Sequence, residues 1–132
     1  MTDNKLCAIA TEQMKNSYSP YSFFTVGAAL LCDDGSVYTG CNIENSAFTP
    51  TVCAERTAFF KAVSEGKRNF KKIAIAGGKN ATVTKACAPC GVCRQVMSEF
   101  CSKDFEILLV TPNGFEKHTL FKLLPLSFEL EK

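Results

Sequence analysis

The 132-residue sequence has no block of like charge, no low-complexity tract and no internal repeat. It also has no uninterrupted apolar run near the roughly 20 residues that a membrane-spanning helix requires. These absences exclude a disordered tail and a helical membrane anchor from the expected architecture. Charge of one sign is scarce as well: 15 Lys and Arg against 13 Asp and Glu leave a formal net charge of +2, scattered along the chain. A protein that follows a phosphate backbone carries a basic cluster or stripe, so nucleic acid is not an expected partner. The N-terminus lacks an apolar signal core, and a cytoplasmic location is expected. The single histidine, His118, is far in sequence from every motif below and is assigned no role.

What remains is the mixture of an ordinary globular protein, 46% hydrophobic and 21% charged, at a length that suits one domain spanning 1–132. Cysteine is the abundant exception, with eight residues. In a small secreted protein they would form a disulfide framework. In a reducing compartment they are metal ligands, reactive thiols or small core residues, and spacing has to decide.

Leu6, Ile9, Ala10 and Met14 recur at spacings of three and four, which predicts an amphipathic helix over 4–16, ended by Ser19 and Pro20. An apolar run from Thr25 to Cys32, the Asp33-Asp34-Gly35 turn and Val37 to Cys41 form an expected hairpin. A helix is expected to start near Pro50 and Thr51, with Thr51 as its entry cap, and to pass through Cys53 and Phe60 until Gly66 stops it. Lys72 to Ala76 predicts a short buried strand ending at Gly77-Gly78, and a further helix is expected from Pro89-Cys90 towards Phe100. Phe105 to Val110 and Phe115 to Leu120 read as strands joined at Pro112-Asn113-Gly114, and 121–132 carries no clear pattern. Together these predict an α/β fold, a three-layer sandwich around a five-stranded mixed sheet whose last two strands form an antiparallel hairpin.

Cys90 and Cys93 are three residues apart in P-C-G-V-C, which brings both thiols to one face of a helix. By itself the pair suits zinc, dithiol redox chemistry or core packing. C-A-E-R at Cys53 to Arg56 offers a third sulfur and a carboxylate at the start of another helix. Residues two apart do not share a helix face, so Cys53 and Glu55 reach one site only if that helix meets it end-on. Helix N-termini favour thiolates, and three thiolates leave tetrahedral zinc one open position for water. Glu55, a carboxylate that is not a ligand, then stands as the proton carrier. Arg56 is the candidate to offset the negative charge of the thiolates, against an ordinary solvated residue. Glu55 alone would be an ordinary first-turn acid.

P-Y-S at Pro20 to Ser22, C-N-I-E-N at Cys41 to Asn45, C-A-E-R-T-A at Cys53 to Ala58 and P-C-G-V-C-R-Q at Pro89 to Gln95 together resemble the small homotetrameric cytidine deaminases. The resemblance covers about Tyr18 to Phe128. It implies one zinc per subunit on Cys53, Cys90 and Cys93, with hydroxide attacking carbon 4 of the cytosine ring while Glu55 protonates nitrogen 3 and ammonia leaves. It further implies Asn42 and Glu44 at the ribose, Phe24 packed on the pyrimidine, the backbone around Ala54 at the ring's polar edge, and Phe128 supplied by a neighbouring subunit. Cytidine and deoxycytidine, in pyrimidine salvage, are the implied substrates, and a homotetramer with sites near subunit contacts is the implied assembly. Phe48 and Phe59 depart from the commoner tyrosine and branched aliphatic of such proteins. Without the resemblance, Phe24 reads as core, and Asn42 and Glu44 as strand-end caps.

Three alternatives stay open at this level. A blasticidin-type or polynucleotide base deaminase shares the zinc chemistry, but the resemblance implies that polynucleotide deaminases place a helix between their last two strands whereas the nucleoside group turns directly. The Thr111 to Gly114 connection is too short for such a crossover, and N-I-E with Phe128 resembles the nucleoside group. A non-catalytic zinc-stabilised domain would need no Glu55. A dithiol redox protein would rest on Cys90 and Cys93 alone. Cys87 makes a second C-x-x-C with Cys90, yet its place before Pro89 leaves it on a loop, and a closed four-cysteine site is not expected. Cys7, Cys32, Cys41 and Cys101 lie in apolar segments and read as core residues.

Overall fold

A computed structural model describes every residue from Met1 to Lys132. The chain forms α1 (Asp3–Gln13), β1 (Phe24–Cys32), β2 (Val37–Cys41), α2 (Ala54–Ser64), β3 (Phe70–Lys79), α3 (Gly91–Phe100), β4 (Glu106–Thr111), β5 (Gly114–Thr119) and a final turn of helix, α4 (Leu120–Leu123). The five strands make one sheet in the order β2-β1-β3-β4-β5. The β3 and β4 strands run parallel, and every other neighbouring pair is antiparallel.

Successive strand residues face opposite sides of a sheet, and here both sides are covered. Ala28 and Leu30 of β1, Ile73 and Ile75 of β3, and Ile107 and Leu109 of β4 face α2 and α3. Their neighbours Ala29, Leu31, Ala74, Ala76, Leu108 and Val110 face Leu6, Cys7 and Ala10 of α1, with Met14. Two-sided burial explains why β1, β3 and β4 read as continuous apolar runs instead of alternating ones. The three-layer sandwich around a mixed sheet is thus the observed architecture. Phe59 is fully buried in α2, with Phe70 packed edge-on at 5.1 Å and Phe100 and Phe105 within 6.4 Å between ring centroids. This aromatic cluster supplies the room for a ring at that position.

Several boundaries differ from expectation: α1 gives way after Gln13 to a tighter turn over Met14–Asn16, β3 starts at Phe70 instead of Lys72, and Leu120 opens α4 instead of ending β5. Helix α2 begins at Ala54, not near Pro50 and Thr51. Val52 exchanges two backbone hydrogen bonds of 3.0 Å with Ile43, which holds the chain extended up to Cys53. Strand β3 continues past Ala76 to Lys79, because Gly77 and Gly78 stay paired with Val26 and Thr25. Pro89 precedes the entry cap Cys90 and so lies outside α3. The 121–132 segment contributes the last residues of α4, whose entry cap is the Thr119 hydroxyl, accepting from the Lys122 N–H at 3.3 Å.

The end of α2 is as expected. Gly66 adopts φ +96°, its N–H donates to the Val63 carbonyl at 3.0 Å, and the Lys67 N–H donates to Ala62 at 3.0 Å. That is the left-handed glycine stop that frees a chain to leave a helix. Gly40 of β2 sets how closely α2 lies on the sheet: a Cβ there would sit 2.3 Å from the Ala54 carbonyl oxygen and 2.6 Å from the Ala58 nitrogen. No helix of the chain is long and apolar enough to cross a membrane.

Candidate metal centre

The first residues of α2 and α3 converge. Cys53 is the extended entry cap of α2 (φ −78°, ψ 156°), and Cys90 is the extended entry cap of α3 (φ −69°, ψ 168°). The Cys90 sulfur accepts the Cys93 N–H at 3.4 Å, as a capping side chain does, and Cys93 is buried in the first turn of α3. Cys53 Sγ lies 3.7 Å from Cys90 Sγ, Cys90 Sγ lies 3.5 Å from Cys93 Sγ, and all three sulfurs fall within 4.8 Å of one another. Tetrahedral zinc with Zn–S bonds of about 2.3 Å separates its sulfurs by about 3.8 Å. The three side chains therefore fit zinc with little movement, and Cys87 does not belong to the cluster.

Two electrostatic features favour sulfur anions here. Both helices point their positive N-terminal ends at the cluster. The Arg56 guanidinium donates from Nη2 to Cys53 Sγ at 3.3 Å, while its buried Nε has no partner among the side chains. The sulfurs lie within hydrogen-bonding reach of one another: Cys93 and Arg56 hold Cys53 below the ordinary thiol range, and donating to Cys53 raises Cys93. A dication would remove the need for those shared protons.

Glu55 is the buried charged residue of the chain, 4% exposed. Burial, assisted by the negative charge of Cys53, pushes its carboxyl up to about 7. Such a group exchanges protons near neutrality. Because Cys53 stands at the very end of α2 and Glu55 one step inside it, the helix does approach the cluster end-on.

Cys53, Glu55 and Cys90 line one cavity of about 250 Å³ together with Ser22, Phe24, Val26, Asn42, Glu44, Thr51, Val52, Cys87 and Ala88. No lysine, arginine or histidine is among them. Asn42 extends the β1–β2 pairing by a side chain: its Oδ1 accepts the Val26 N–H at 2.9 Å, and its Nδ2 donates to the Phe24 carbonyl at 2.8 Å. The Ser17 hydroxyl also donates to that Oδ1. Glu44 accepts the Tyr21 and Ser22 N–H groups at 3.0 and 3.2 Å on one oxygen and the Ser22 hydroxyl at 2.5 Å on the other.

Of the residues singled out from sequence, Phe24, Asn42, Glu44, Cys53, Glu55 and Cys90 share this cavity. Cys93 closes the sulfur cluster and Arg56 contacts it. Two stand elsewhere: the Ala54 side chain is fully buried in the core beneath α2, and Phe128 is 67% exposed with its carbonyl accepting from Gln95 Nε2 at 3.0 Å. Sequence reasoning missed Ser22, Val26, Thr51, Val52, Cys87 and Ala88 as lining residues. For Cys87 a signal existed in Gly77, where a Cβ would lie 2.7 Å from Cys87 Sγ and 3.3 Å from the Phe24 ring. The missing side chain lets the loop before α3 close against β3.

Comparison with known proteins gives a consistent result. Residues 1–109 match the family described as cytidine and deoxycytidylate deaminase zinc-binding region. The chain is 49% identical to a cytidine deaminase of Sporosarcina psychrophila, over 99% of this chain and 94% of that one. It is 46% identical to a cytidine deaminase of Halalkalibacterium halodurans, covering 92% and 90%. Among solved structures, the cytidine deaminase from Burkholderia pseudomallei superposes with a TM-score of 0.89 at 40% identity, covering 97% of this chain and all of that one.

Proposed function

The chain belongs to the cytidine and deoxycytidylate deaminase zinc-binding family, and from that membership we propose that it hydrolyses cytidine and deoxycytidine to uridine and deoxyuridine with release of ammonia. One observation carries the reading: three sulfurs from two helix ends cluster beside one cavity, and Cys53, Cys90 and the buried Glu55 carboxyl, which is not one of the sulfur set, line it. A purely structural zinc site is closed by four ligands, which separates this arrangement from a metal-stabilised binding domain. The cavity has no cationic lining residue for a phosphate, and β4 and β5 are antiparallel and joined through Pro112 and Asn113. Both features favour a free nucleoside over a base within a polynucleotide.

Cys53, Cys90 and Cys93 would hold one zinc per subunit, and zinc so bound supplies the Lewis acidity that makes a water molecule deprotonable near neutral pH. Glu55 accepts that proton and delivers it to ring nitrogen 3 as the water oxygen bonds to carbon 4. Burial of Glu55 at 4% exposure keeps bulk water from competing for the proton it carries between the two. The remaining hydroxyl proton then goes to the exocyclic nitrogen, the C–N bond breaks and ammonia departs, leaving the carbonyl of uridine. Arg56 limits the negative charge of the thiolates. Phe24 packs on the pyrimidine face, and Asn42 and Glu44 hold sugar hydroxyls. The backbone around Ala54 serves the ring's polar edge.

We extend the reading to a homotetramer in which Phe128 of a neighbouring subunit closes the site, to a cytoplasmic location, to pyrimidine salvage and to one domain over 1–132. Exposed Tyr18, Tyr21, Phe23, Ile43 and Phe48, in the segments that carry the lining residues Ser22, Phe24, Asn42, Glu44 and Thr51, support an assembled state, and a sheet shared by both core clusters supports the single domain. Loss of cytidine absorbance on adding the protein tests the activity. The rate should fall on incubation with a strong zinc chelator and return with added zinc. A protein that releases no ammonia from cytidine at one zinc per chain contradicts the proposal.

A further inference from the structure

Beside the residues that meet the substrate lies a side chain to which no role has been given. The Ser22 hydroxyl donates to Glu44 at 2.5 Å and accepts the Phe24 N–H at 3.0 Å. Its proton has one possible direction. An amide N–H can only donate and an ionised carboxylate can only accept, so the Ser22 hydrogen points at Glu44. One hydroxyl therefore links the backbone at Phe24 to the carboxylate of Glu44, two residues that line the same cavity.

The link limits what Glu44 can do. A carboxylate has about four acceptor positions, and three are used: two by the Tyr21 and Ser22 N–H groups, one by the Ser22 hydroxyl. These donors, Ser22 first, hold the carboxyl below its ordinary range and so keep it ionised. What remains is one acceptor on a carboxylate whose orientation is fixed from three sides. The turn that supplies these donors is itself pinned. Phe23, in the left-handed region at φ +60°, donates its N–H to the Ser19 carbonyl at 2.9 Å, and its own carbonyl accepts the Asn80 N–H at 3.1 Å.

We propose that Ser22 is a positioning residue for sugar recognition, aiming Glu44 at a sugar hydroxyl and fixing its distance from Phe24. The proposal rests on the reading of Glu44 as a sugar-binding group, and the test separates the two. A preorganised acceptor contributes equally to ground state and transition state, so its loss appears in KM.

The measurement compares cytidine with 2′,3′-dideoxycytidine, which offers Glu44 no hydroxyl on the ring carbons that carry them in ribose. The variants are Ser22→Ala, Ser22→Thr and Glu44→Gln, each at verified zinc content and melting temperature. Ser22→Ala should raise KM for cytidine about tenfold, equivalent to about 1.4 kcal/mol. It should change KM for the dideoxy substrate no more than about twofold, and kcat for both no more than about twofold. Ser22→Thr, which keeps the hydroxyl, should recover most of the cytidine KM. If Glu44→Gln raises the cytidine KM and Ser22→Ala does not, the positioning role is wrong while the reading of Glu44 stands. If Glu44→Gln shifts neither substrate, both fall. Equal losses of kcat on both substrates in Ser22→Ala would show that Ser22 merely holds the turn together, and would overturn the proposal.

Discussion

Asn42 illustrates how one residue can be structural and functional at once. Its amide bonds the Val26 N–H and the Phe24 carbonyl where the β1–β2 ladder has ended, while its position on the cavity wall suits a sugar hydroxyl. Removing it leaves backbone groups without a partner, at a cost of about 1–3 kcal/mol. Asn42→Ala is therefore expected to lower the melting temperature by several degrees and to raise KM for cytidine, as thermal unfolding and steady-state kinetics on one preparation would show. An unchanged melting temperature would mean that water replaces the amide. The sulfur cluster was legible in sequence because Cys90 and Cys93 share a C-x-x-C spacing at one helix start and the C-A-E-R motif offers Cys53 at another. Ser22, Val26 and Cys87 were not, because β1, the turn before it and the loop before α3 meet only through sheet pairing across some fifty residues.

At the scale of elements, the approach of α2 to the sheet decides where Cys53 and Glu55 stand. Gly40 makes that approach possible, and a methyl group there would collide with the α2 backbone at Ala54 and Ala58. Overpacking of this kind typically costs about 1–3 kcal/mol. Gly40→Ala should lower the melting temperature and, by pushing the start of α2 outward, reduce zinc retained through dialysis against a weak chelator. Retention equal to the parent protein would show that the helix start is held by the cluster alone. The existence and order of all the main elements could be read from periodicity and from turn residues. The start of α2 could not, since Pro50 and Thr51 carry the local signals of a helix entry. The Ile43–Val52 pairing overrides them with two hydrogen bonds to a distant segment. Gly77 and Gly78 misled in the same way: their absent side chains let the segment from Thr82 to Cys87 pack closely on β3 and do not end the strand.

Across the whole molecule, the N-terminal helix is tied to the sheet by a cluster of charges. Asp3 pairs with Lys72 at 2.8 Å and Lys117 at 3.0 Å, and Lys72 pairs with Glu106 at 3.2 Å, joining α1 to β3, β4 and β5. Lys72, then Lys117, holds the Asp3 carboxyl below its usual range. A carboxyl lowered in the folded state stabilises it above the unfolded value of about 3.9, and that contribution is lost as pH falls through the lower folded value. Asp3→Asn should thus melt about 2–4 °C lower at pH 7, with the gap narrowing as pH drops below about 4. A gap independent of pH would assign the loss to helix capping or packing.

The reaction assigned to the cavity depends on Glu55 moving protons without helping to hold the metal. The most direct test is ammonia release from cytidine by Glu55→Gln with its zinc content determined on the same sample. The expected result is one zinc per chain with turnover reduced by about 10²–10⁴. Turnover within a few-fold of the parent at full zinc content would contradict it.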